Sequence, residues 1–337
     1  MSKRLLKNTL QTIASSFGPH RWPARGTSLV ILMYHRVLPA DDARYQDEQP
    51  GMIVHPETFA MHMDVLQQHF DVVSLAEWVR QVDAGEPVPR RAAAITFDDG
   101  WRDNLEFALP ALAVRNLPAT IFLVSEMMDG DGNYWPEQLA TSIRLAQDQD
   151  KSIWQQEPFH WLPELHPAVV CAADAESRDA AIVAAKRHLD DQTLRARSTA
   201  MLASLGDAVT DQPRAILSWQ EAREMQAGGL IEFGSHTLDH TRLTESLDPQ
   251  LRWRQLSESR RQIADNLGKA VSLFCYPNGD HCPAAVGEAA QLYAAAVTTQ
   301  GGWNTPSTPR HLLHRIGVHQ GNAATPRAFR ARLSGWL

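Results

Sequence analysis

Two short segments of the sequence carry the residue types of a metal site. In the first, two adjacent aspartates, Asp98 and Asp99, directly follow an apolar run. In the second, His236 and His240 stand four residues apart after another largely apolar run. Alone, an Asp-Asp-Gly sequence is usually a turn or a helix cap, and a spaced histidine pair usually lies at the surface or in the core. Because α/β enzymes keep their chemistry at strand ends, the two segments together favour a metal site.

The chemistry of such a site follows from its donor atoms. Two neutral imidazoles and one carboxylate suit zinc, with cobalt or nickel as alternatives, and leave positions open for water and substrate. The chain turns at Gly100, so both aspartates can reach one cavity although neighbouring strand residues point to opposite faces. One aspartate would bind the cation, and the other would accept a proton from an activated water. The two histidines would share one face of a helical turn.

The two segments resemble the first and second motifs of the polysaccharide deacetylases, which are carbohydrate esterase family 4 or the NodB-homology domain. The segment 96–100 reads TFDDG, and the segment 236–240 has the form H-[ST]-x-x-H. The resemblance implies an α/β fold, a distorted (β/α) barrel with seven strands, and hydrolysis of an N-acetyl or sometimes an O-acetyl group on a sugar. It implies that Asp98 is the catalytic base. The ligands that it implies for one divalent cation are Asp99, His236 and His240.

The third motif of the family has the form R-x-P-x-G, and the matching stretch departs from it. Cys275 stands where the family has its arginine. Because that arginine orients the base in the family, the departure indicates a variant subgroup in which the residue that orients Asp98 is unassigned. The resemblance implies that Tyr276, Pro277 and Asn278 line the substrate pocket, and that the backbone N–H of Tyr276 or a neighbour stabilises the oxyanion. The alternative is a tight turn after a buried strand.

The last family motif supplies a histidine that acts as the general acid. The stretch 312–319 contains His314, Arg315 and His319, but it has no L-x-H match. Arg315 could stabilise an oxyanion or orient a carboxylate, but it cannot donate its proton at neutral pH. His35 is a further candidate, because it ends an apolar run whose Tyr-His resembles the first barrel strand of the subgroup. His35 and His319 lead as the acid, although His35 could also simply cap its strand.

Strand and helix patterns alternate over residues 26–337, as a (β/α) barrel requires, except at about residues 125–212. That stretch is polar and helical, which predicts an inserted helical subdomain. Its tryptophans are Trp135, Trp154 and Trp161. They could stack on sugar rings, although core packing is the commoner fate of tryptophan. We expect Trp303 in a loop at the pocket end of the barrel, where it could close over a ligand or pack on neighbouring loops.

Residues 1–25 form a basic, amphipathic extension. Its apolar residues at helical spacing are Leu5, Leu6, Leu10, Ile13 and Phe17. They could rest on a membrane surface or pack against the barrel. The extension lacks the continuous apolar stretch of a signal peptide, and no run in the sequence is long enough to span a membrane. We therefore expect a cytoplasmic protein, with peripheral membrane contact as the alternative.

Composition narrows the choice of partners. A formal charge of −7 over 337 residues argues against a nucleic-acid partner. The three cysteines lack C-x-x-C spacing, so neither a disulfide framework nor a zinc knuckle is indicated. We expect a metal-dependent carbohydrate deacetylase, a hydrolase of non-peptide C–N bonds, that acts on an acetylated sugar or glycan in cell-surface glycan synthesis. The alternatives are a non-catalytic carbohydrate-binding barrel, an O-acetyl esterase and an amidase; the sequence leaves the oligomeric state open.

Overall fold

The computed structural model of the chain describes residues 10–16, 18, 26–130, 132–206 and 214–335. The chain divides into two compact units. The first unit comprises the described residues of Met1–Val37, Val54–Gly130 and Ile216–Leu337. The second comprises those of Leu38–Ile53 and Asp131–Ala215.

A parallel sheet is the centre of the first unit. Its strands are β1 (Ser28–Tyr34), β4 (Asp71–Val72), β5 (Arg91–Phe97), β6 (Ala119–Leu123), β7 (Ile231–Ser235), β8 (Leu273–Cys275), β9 (Ala295–Val297) and β10 (Ile316–Gly317). Seven of them follow the order β10-β1-β5-β6-β7-β8-β9, and β4 pairs with the first half of β5. Two short strands outside this sheet are β2 (Arg36–Val37) and β3 (Ile53–Val54).

The sheet is curled, and the segment that ends in β10 connects β9 at one side of the sheet with β1 at the other. Leu313 pairs with Val297 of β9, and Ile316 pairs with Leu32 of β1. Strands buried on both faces are expected to be largely apolar, as β1 and β5 are. The predicted distorted (β/α) barrel with seven strands is therefore confirmed. A core cluster of alternate strand residues fills its interior, and Trp78 packs into that cluster.

Helices separate most of the strands of the first unit, and four further helices belong to the second unit. The helices are α1 (Pro56–His69), α2 (Leu75–Asp83), α3 (Leu109–Arg115), α4 (Trp135–Gln147), α5 (Trp161–Leu165), α6 (Ala175–His188), α7 (Asp191–Ser204), α8 (Trp219–Ala227), α9 (Pro249–Leu267), α10 (Pro283–Leu292), α11 (Gln320–Ala323) and α12 (Pro326–Leu333). Pro56 occupies the first turn of α1, and Gly268 ends α9 in the left-handed conformation with φ 65°. Within the described ranges, no helix is long and apolar enough to cross a membrane.

The second unit contains α4 to α7 and has its own core. The three tryptophans of the predicted insertion are buried in that core. Their faces pack against protein, so the sugar-stacking interpretation is wrong and the core interpretation holds. Within this unit, Arg144 Nε donates to Asp47 Oδ1 at 2.6 Å, and Arg178 Nη2 donates to the carbonyl of Gln46 at 2.9 Å. These bonds attach the segment Leu38–Ile53 to the helices.

The N-terminal extension is described in part. Residues 10–16 are helical, and Leu10 and Ile13 are exposed while Ala14 and Ser15 are buried. The predicted apolar positions Leu5, Leu6 and Phe17 lie outside the described residues.

Candidate active site

The chemically important side chains lie at the carboxyl ends of adjacent strands. Asp98 follows β5 directly, and its N–H donates to the carbonyl of Tyr34 at the end of β1. His236 follows β7 directly, and its N–H donates to the carbonyl of Leu123 at the end of β6. Because parallel strands end at one edge of a sheet, both motifs open on the same end of the barrel.

Asp99, His236 and His240 form a compact group. Oδ1 of Asp99 lies 3.4 Å from Nε2 of His236 and 3.4 Å from Nε2 of His240. The three ligand atoms all lie within 4.8 Å of one another. Asp99 and His236 are buried, whereas His240 is partly exposed. A carboxylate oxygen and two imidazole nitrogens that converge in this way, with one exposed side, fit a divalent cation that keeps open positions.

Hydrogen bonding orients His236 for such a role. Its Nδ1 donates to the main-chain carbonyl of Cys275 at 2.8 Å. The carbonyl requires the proton on Nδ1, so in the neutral ring the lone pair of Nε2 faces Asp99. Burial lowers the pKa of His236, whereas Cys275 and Asp99 raise it, and the net shift is upward. Burial raises the pKa of Asp99, but the neighbouring imidazoles lower it by more than burial raises it. The net pKa is therefore below the usual value, and Asp99 is ionised at neutral pH.

Left-handed backbone turns bring these side chains together. Asp99 and Gly100 have φ of 75° and 73°, and Thr237 and His240 have φ of 67° and 66°. At Gly100 a Cβ would lie 2.9 Å from Cδ2 of Leu123, so only glycine fits without displacement. The expectation that the histidines share a helical turn is wrong, because residues 237–239 form a non-helical turn. Their rings nevertheless meet edge to face, with centroids 4.9 Å apart.

Asp98 is paired with Arg315. The guanidinium donates from Nη1 to Oδ1 and from Nη2 to Oδ2, both at 2.7 Å. The Nε of Arg315 donates to the carbonyl of Thr298 at 2.9 Å, which fixes the plane of the fork. Both side chains are buried. Burial raises the pKa of Asp98, but the charge and hydrogen bonds of Arg315 outweigh it and hold the pKa below its usual value.

Cys275 completes this arrangement. Its Sγ lies 3.1 Å from Nη2 of Arg315 and 3.5 Å from Oδ2 of Asp98. Burial raises the pKa of the thiol, so it is protonated and donates weakly to Asp98. Of the two roles predicted for Arg315, the geometry supports orientation of a carboxylate. Arg315 thus makes the contact expected of the family arginine, and the small side chain at position 275 leaves room for it.

Of the predicted general acids, His35 lies beside this pair. Nε2 of His35 lies 3.8 Å from Oδ2 of Asp98, and the side chain is partly exposed. His319 precedes α11, and its N–H donates to Oδ1 of Asn322. The neighbouring Val318 bonds the carbonyl of Met33, so His319 lies toward the same end of the barrel. The main chain of His314 bonds Asn304 instead.

The third-motif loop contributes less than the sequence predicts. The N–H of Tyr276 donates to the carbonyl of Val297 at 3.3 Å, and its hydroxyl donates to the carbonyl of His311. The Tyr276 N–H thus already has a backbone acceptor, and an oxyanion contact from Tyr276 or a neighbour stays a prediction. Pro277 is buried and lacks an N–H. Asn278 is exposed, with φ of 58°, and its Nδ2 donates to Asp280.

The structure does not bring Trp303 to this site. The adjacent Asn304 pairs with Leu29, at the start of β1 and hence at the amino ends of the strands. The indole N–H of Trp303 donates to the carbonyl of Leu333, and its ring packs near Phe70. The loop therefore lies at the end of the barrel opposite Asp98, and the expectation of a pocket-end position is wrong.

Sequence reasoning missed a side chain in direct contact with the site. Nε1 of Trp101 donates to Oδ2 of Asp99 at 3.1 Å. The available signal was its position, two residues after Asp99 and directly after the glycine that reverses the chain.

Comparisons with known proteins agree with the fold and the motifs. The sequence profile of the polysaccharide deacetylases matches residues 85–149 and 184–297, which is more than half of the chain. The chain therefore belongs to the polysaccharide deacetylase family. It is 21% identical over 295 residues to the Bacillus subtilis (strain 168) protein named "Putative polysaccharide deacetylase YxkH", covering 87% of this chain and 72% of that one.

Solved structures share the fold. The Streptococcus pyogenes deacetylase PplD, solved in complex with acetate, gives a TM-score of 0.58 at 17% identity, covering 90% of this chain and 96% of that one. IcaB from Ammonifex degensii gives a TM-score of 0.57 at 19% identity, covering 91% of this chain and 98% of that one. At these identities the likeness establishes the fold alone.

Proposed function

We propose that this protein is a metal-dependent carbohydrate deacetylase that removes the acetyl group from an N-acetylated sugar or glycan intermediate. One observation carries the proposal: an arginine-held carboxylate at Asp98 is adjacent in the chain to Asp99, whose group with His236 and His240 is buried except at His240. Membership of the polysaccharide deacetylase family supports the glycan substrate. PplD, which shares the fold, was solved with acetate, the product expected here.

In the proposed site, Oδ1 of Asp99 and the Nε2 atoms of His236 and His240 would hold one divalent cation, zinc first, with cobalt or nickel as alternatives. When bound, the cation supplies Lewis acidity, which polarises the acetyl carbonyl and lowers the pKa of a water molecule. The partial exposure of His240 leaves a side from which substrate can approach.

Asp98 serves as the general base in this proposal. Arg315 keeps it ionised and fixes the plane of its carboxylate, so a lone pair on Oδ2 is directed consistently. A water that attacks the acetyl carbon gives its proton to Asp98. Cys275 contacts the same oxygen as an uncharged thiol, so it adds no second charge beside the base.

His35 serves as the general acid in this proposal because it lies beside Asp98, and His319 is the alternative. Nε2 of His35 lies 3.8 Å from Oδ2 of Asp98, so the proposed acid and the proposed base are neighbours and can act on the same substrate group. As the C–N bond breaks, His35 donates a proton to the leaving amine nitrogen, and the acetyl group departs as acetate. An ester oxygen needs this proton less than an amine does, so the pairing suits an N-acetyl substrate.

The variant Asp98→Asn tests the base. It keeps the shape of the side chain but cannot accept the proton, so turnover of acetylated sugars is expected to fall by orders of magnitude while metal content stays at the parent level. Acetate release and elemental mass spectrometry measure the two quantities. Asp83→Asn is the matched control, because Asp83 also pairs with an arginine, Arg310, away from the site.

Near-normal turnover in Asp98→Asn would refute the base assignment. A panel of N-acetyl and O-acetyl sugars separates a deacetylase from an esterase in the same experiment. A parent protein that binds sugars and metal without releasing acetate would favour the non-catalytic binding barrel.

A further inference from the structure

The carboxylate of Asp99 is held by an indole on the side away from the histidines. Nε1 of Trp101 donates to Oδ2, whereas Oδ1 faces Nε2 of His236 and of His240 at 3.4 Å. The left-handed pair Asp99-Gly100 reverses the chain between the carboxylate and the indole. Since Oδ2 is anchored, rotation of the carboxylate about its Cβ–Cγ bond is restricted, and Oδ1 stays directed at the imidazoles.

The indole is itself held by a buried cation. Cζ of Arg36 lies 4.0 Å from the centroid of the Trp101 ring. Trp101 and Arg36 are each 1% exposed, so the cation–π contact is shielded from water and is strong for its kind. Cation–π contact fixes the ring from one face, and the indole N–H then points in one direction.

Asp103 fixes Arg36 in turn. It accepts from Nε of Arg36 at 2.9 Å and from the N–H of Val37 at 2.8 Å, and it is fully buried. The neighbouring Asn104 donates from Nδ2 to the carbonyl of His35 at 2.9 Å. The residues that support the indole therefore also hold the strand end that carries the proposed general acid.

We propose that Trp101 is a positioning residue for the metal ligand Asp99, and that the Arg36–Asp103 pair holds Trp101 in place. The inference rests on the proposed metal site. Partners that hydrogen-bond to metal ligands commonly contribute 10- to 100-fold to metal affinity. Losing the Trp101 bond frees Asp99 to rotate, which weakens binding and changes how its oxygens face the cation.

The variant Trp101→Phe tests this. It keeps a buried aromatic ring under Arg36 but removes the N–H. The zinc dissociation constant, measured by competition with a chromophoric chelator, is expected to rise by about 10- to 100-fold. The visible absorption spectrum of the cobalt-substituted protein is expected to change as well, because it reports the arrangement of ligand atoms around the metal.

Trp78→Phe is the matched control. Trp78 is also 1% exposed and also has an arginine over its ring, Arg310, with Cζ 5.8 Å from the centroid. Among the described residues its Nε1 has no hydrogen-bond partner, and it lies in the barrel core cluster. The substitution therefore removes the same atoms without touching a metal ligand, and zinc affinity and the cobalt spectrum should match the parent.

Arg36→Lys provides a second variant that keeps the buried charge. It should weaken zinc binding by a smaller factor, because an ammonium does not stack on the indole as a guanidinium does. Parent-like zinc affinity in Trp101→Phe, or equal losses in Trp101→Phe and Trp78→Phe, would overturn the positioning role. A parent protein that binds no zinc would instead refute the proposed function itself.

Discussion

At the scale of single residues, the pKa of Asp98 depends on two opposed influences. Burial alone would raise the pKa and leave the carboxyl protonated over part of the useful pH range. The bidentate guanidinium of Arg315 reverses that tendency at the cost of burying a second charge. The site therefore depends on a pair of charges, each of which is stable in the interior only because the other is present.

The variant Arg315→Lys should expose this balance. A lysine makes a single, less directed contact, so the lowering influence on Asp98 weakens while burial stays. The pKa of the base rises, and the acid limb of the kcat/KM profile moves to higher pH. Initial rates measured across pH check the shift, with Arg310→Lys as control. An unchanged acid limb would contradict the assignment of that limb to Asp98.

The residues of the site that could be predicted from the sequence are those that stand close together in the chain. Asp98, Asp99, His236 and His240 stand in two short segments whose strands end side by side, and they converge in the structure. Their chemical roles stay predictions. The pairing of Arg315 with Asp98 joins positions 217 residues apart, and no local pattern in the sequence indicates that these two side chains meet.

At the scale of elements, a buried histidine fastens the C-terminal helices to the barrel. Nδ1 of His62, in α1, contacts the hydroxyl of Tyr34 in β1 at 3.2 Å. Its Nε2 lies 2.8 Å from the carbonyl of Ala323, and its ring stacks on Phe329 of α12. Burial lowers the pKa of His62 to about 4, although the hydrogen bond to the Ala323 carbonyl acts in the opposite direction.

This lowered pKa makes stability depend on pH. The unfolded chain binds the proton with a pKa of about 6.5, so it gains protons before the folded state does. The contribution of His62 is fully present above pH 6.5 and is lost as pH falls toward 4, by up to ~3 kcal/mol. Urea unfolding of the parent and of His62→Gln at several pH values measures it. The difference between their unfolding free energies should shrink as pH falls; a constant difference would contradict the prediction.

The sequence patterns predicted the strands and the ends of helices better than they predicted where loop residues lie in the barrel. Pro56 at the start of α1 and Gly268 after α9 are helix start and stop signals that can be recognised in the sequence. Trp303 lies in a connection that runs from the carboxyl end of β9 back to the start of β1. The sequence of such a connection does not indicate which of its residues lie at the carboxyl end of the barrel and which lie at the amino end.

At the scale of the whole molecule, the proposed cation joins two separate motifs and should therefore stabilise the fold. The unfolded chain does not bring Asp99 and His236 together, so zinc binds the native state preferentially. At a free zinc concentration about 100 times the dissociation constant, the gain is about 2.7 kcal/mol. The thermal midpoint should rise with zinc and fall with a chelator. Asp99→Ala should show no such rise, and a parent midpoint independent of zinc would contradict the site.

The second unit was only partly visible in the sequence. Its helices follow from the polar, helical pattern predicted at about residues 125–212, but the segment Leu38–Ile53 also belongs to it. That membership depends on contacts such as Arg144 with Asp47, which are 97 residues apart. A short polar segment has no hydrophobic pattern from which its unit could be predicted.

Translation completes the site in a fixed order. The motif segments end at His240, whereas Arg315 is added many residues later, in the segment that contacts both edges of the sheet. At roughly 5–20 residues per second, the intervening stretch takes several seconds to synthesise. Until then the nascent chain has every proposed ligand for the cation but lacks the guanidinium that keeps Asp98 ionised. All the proposed metal ligands are therefore synthesised before the residue that holds the proposed base.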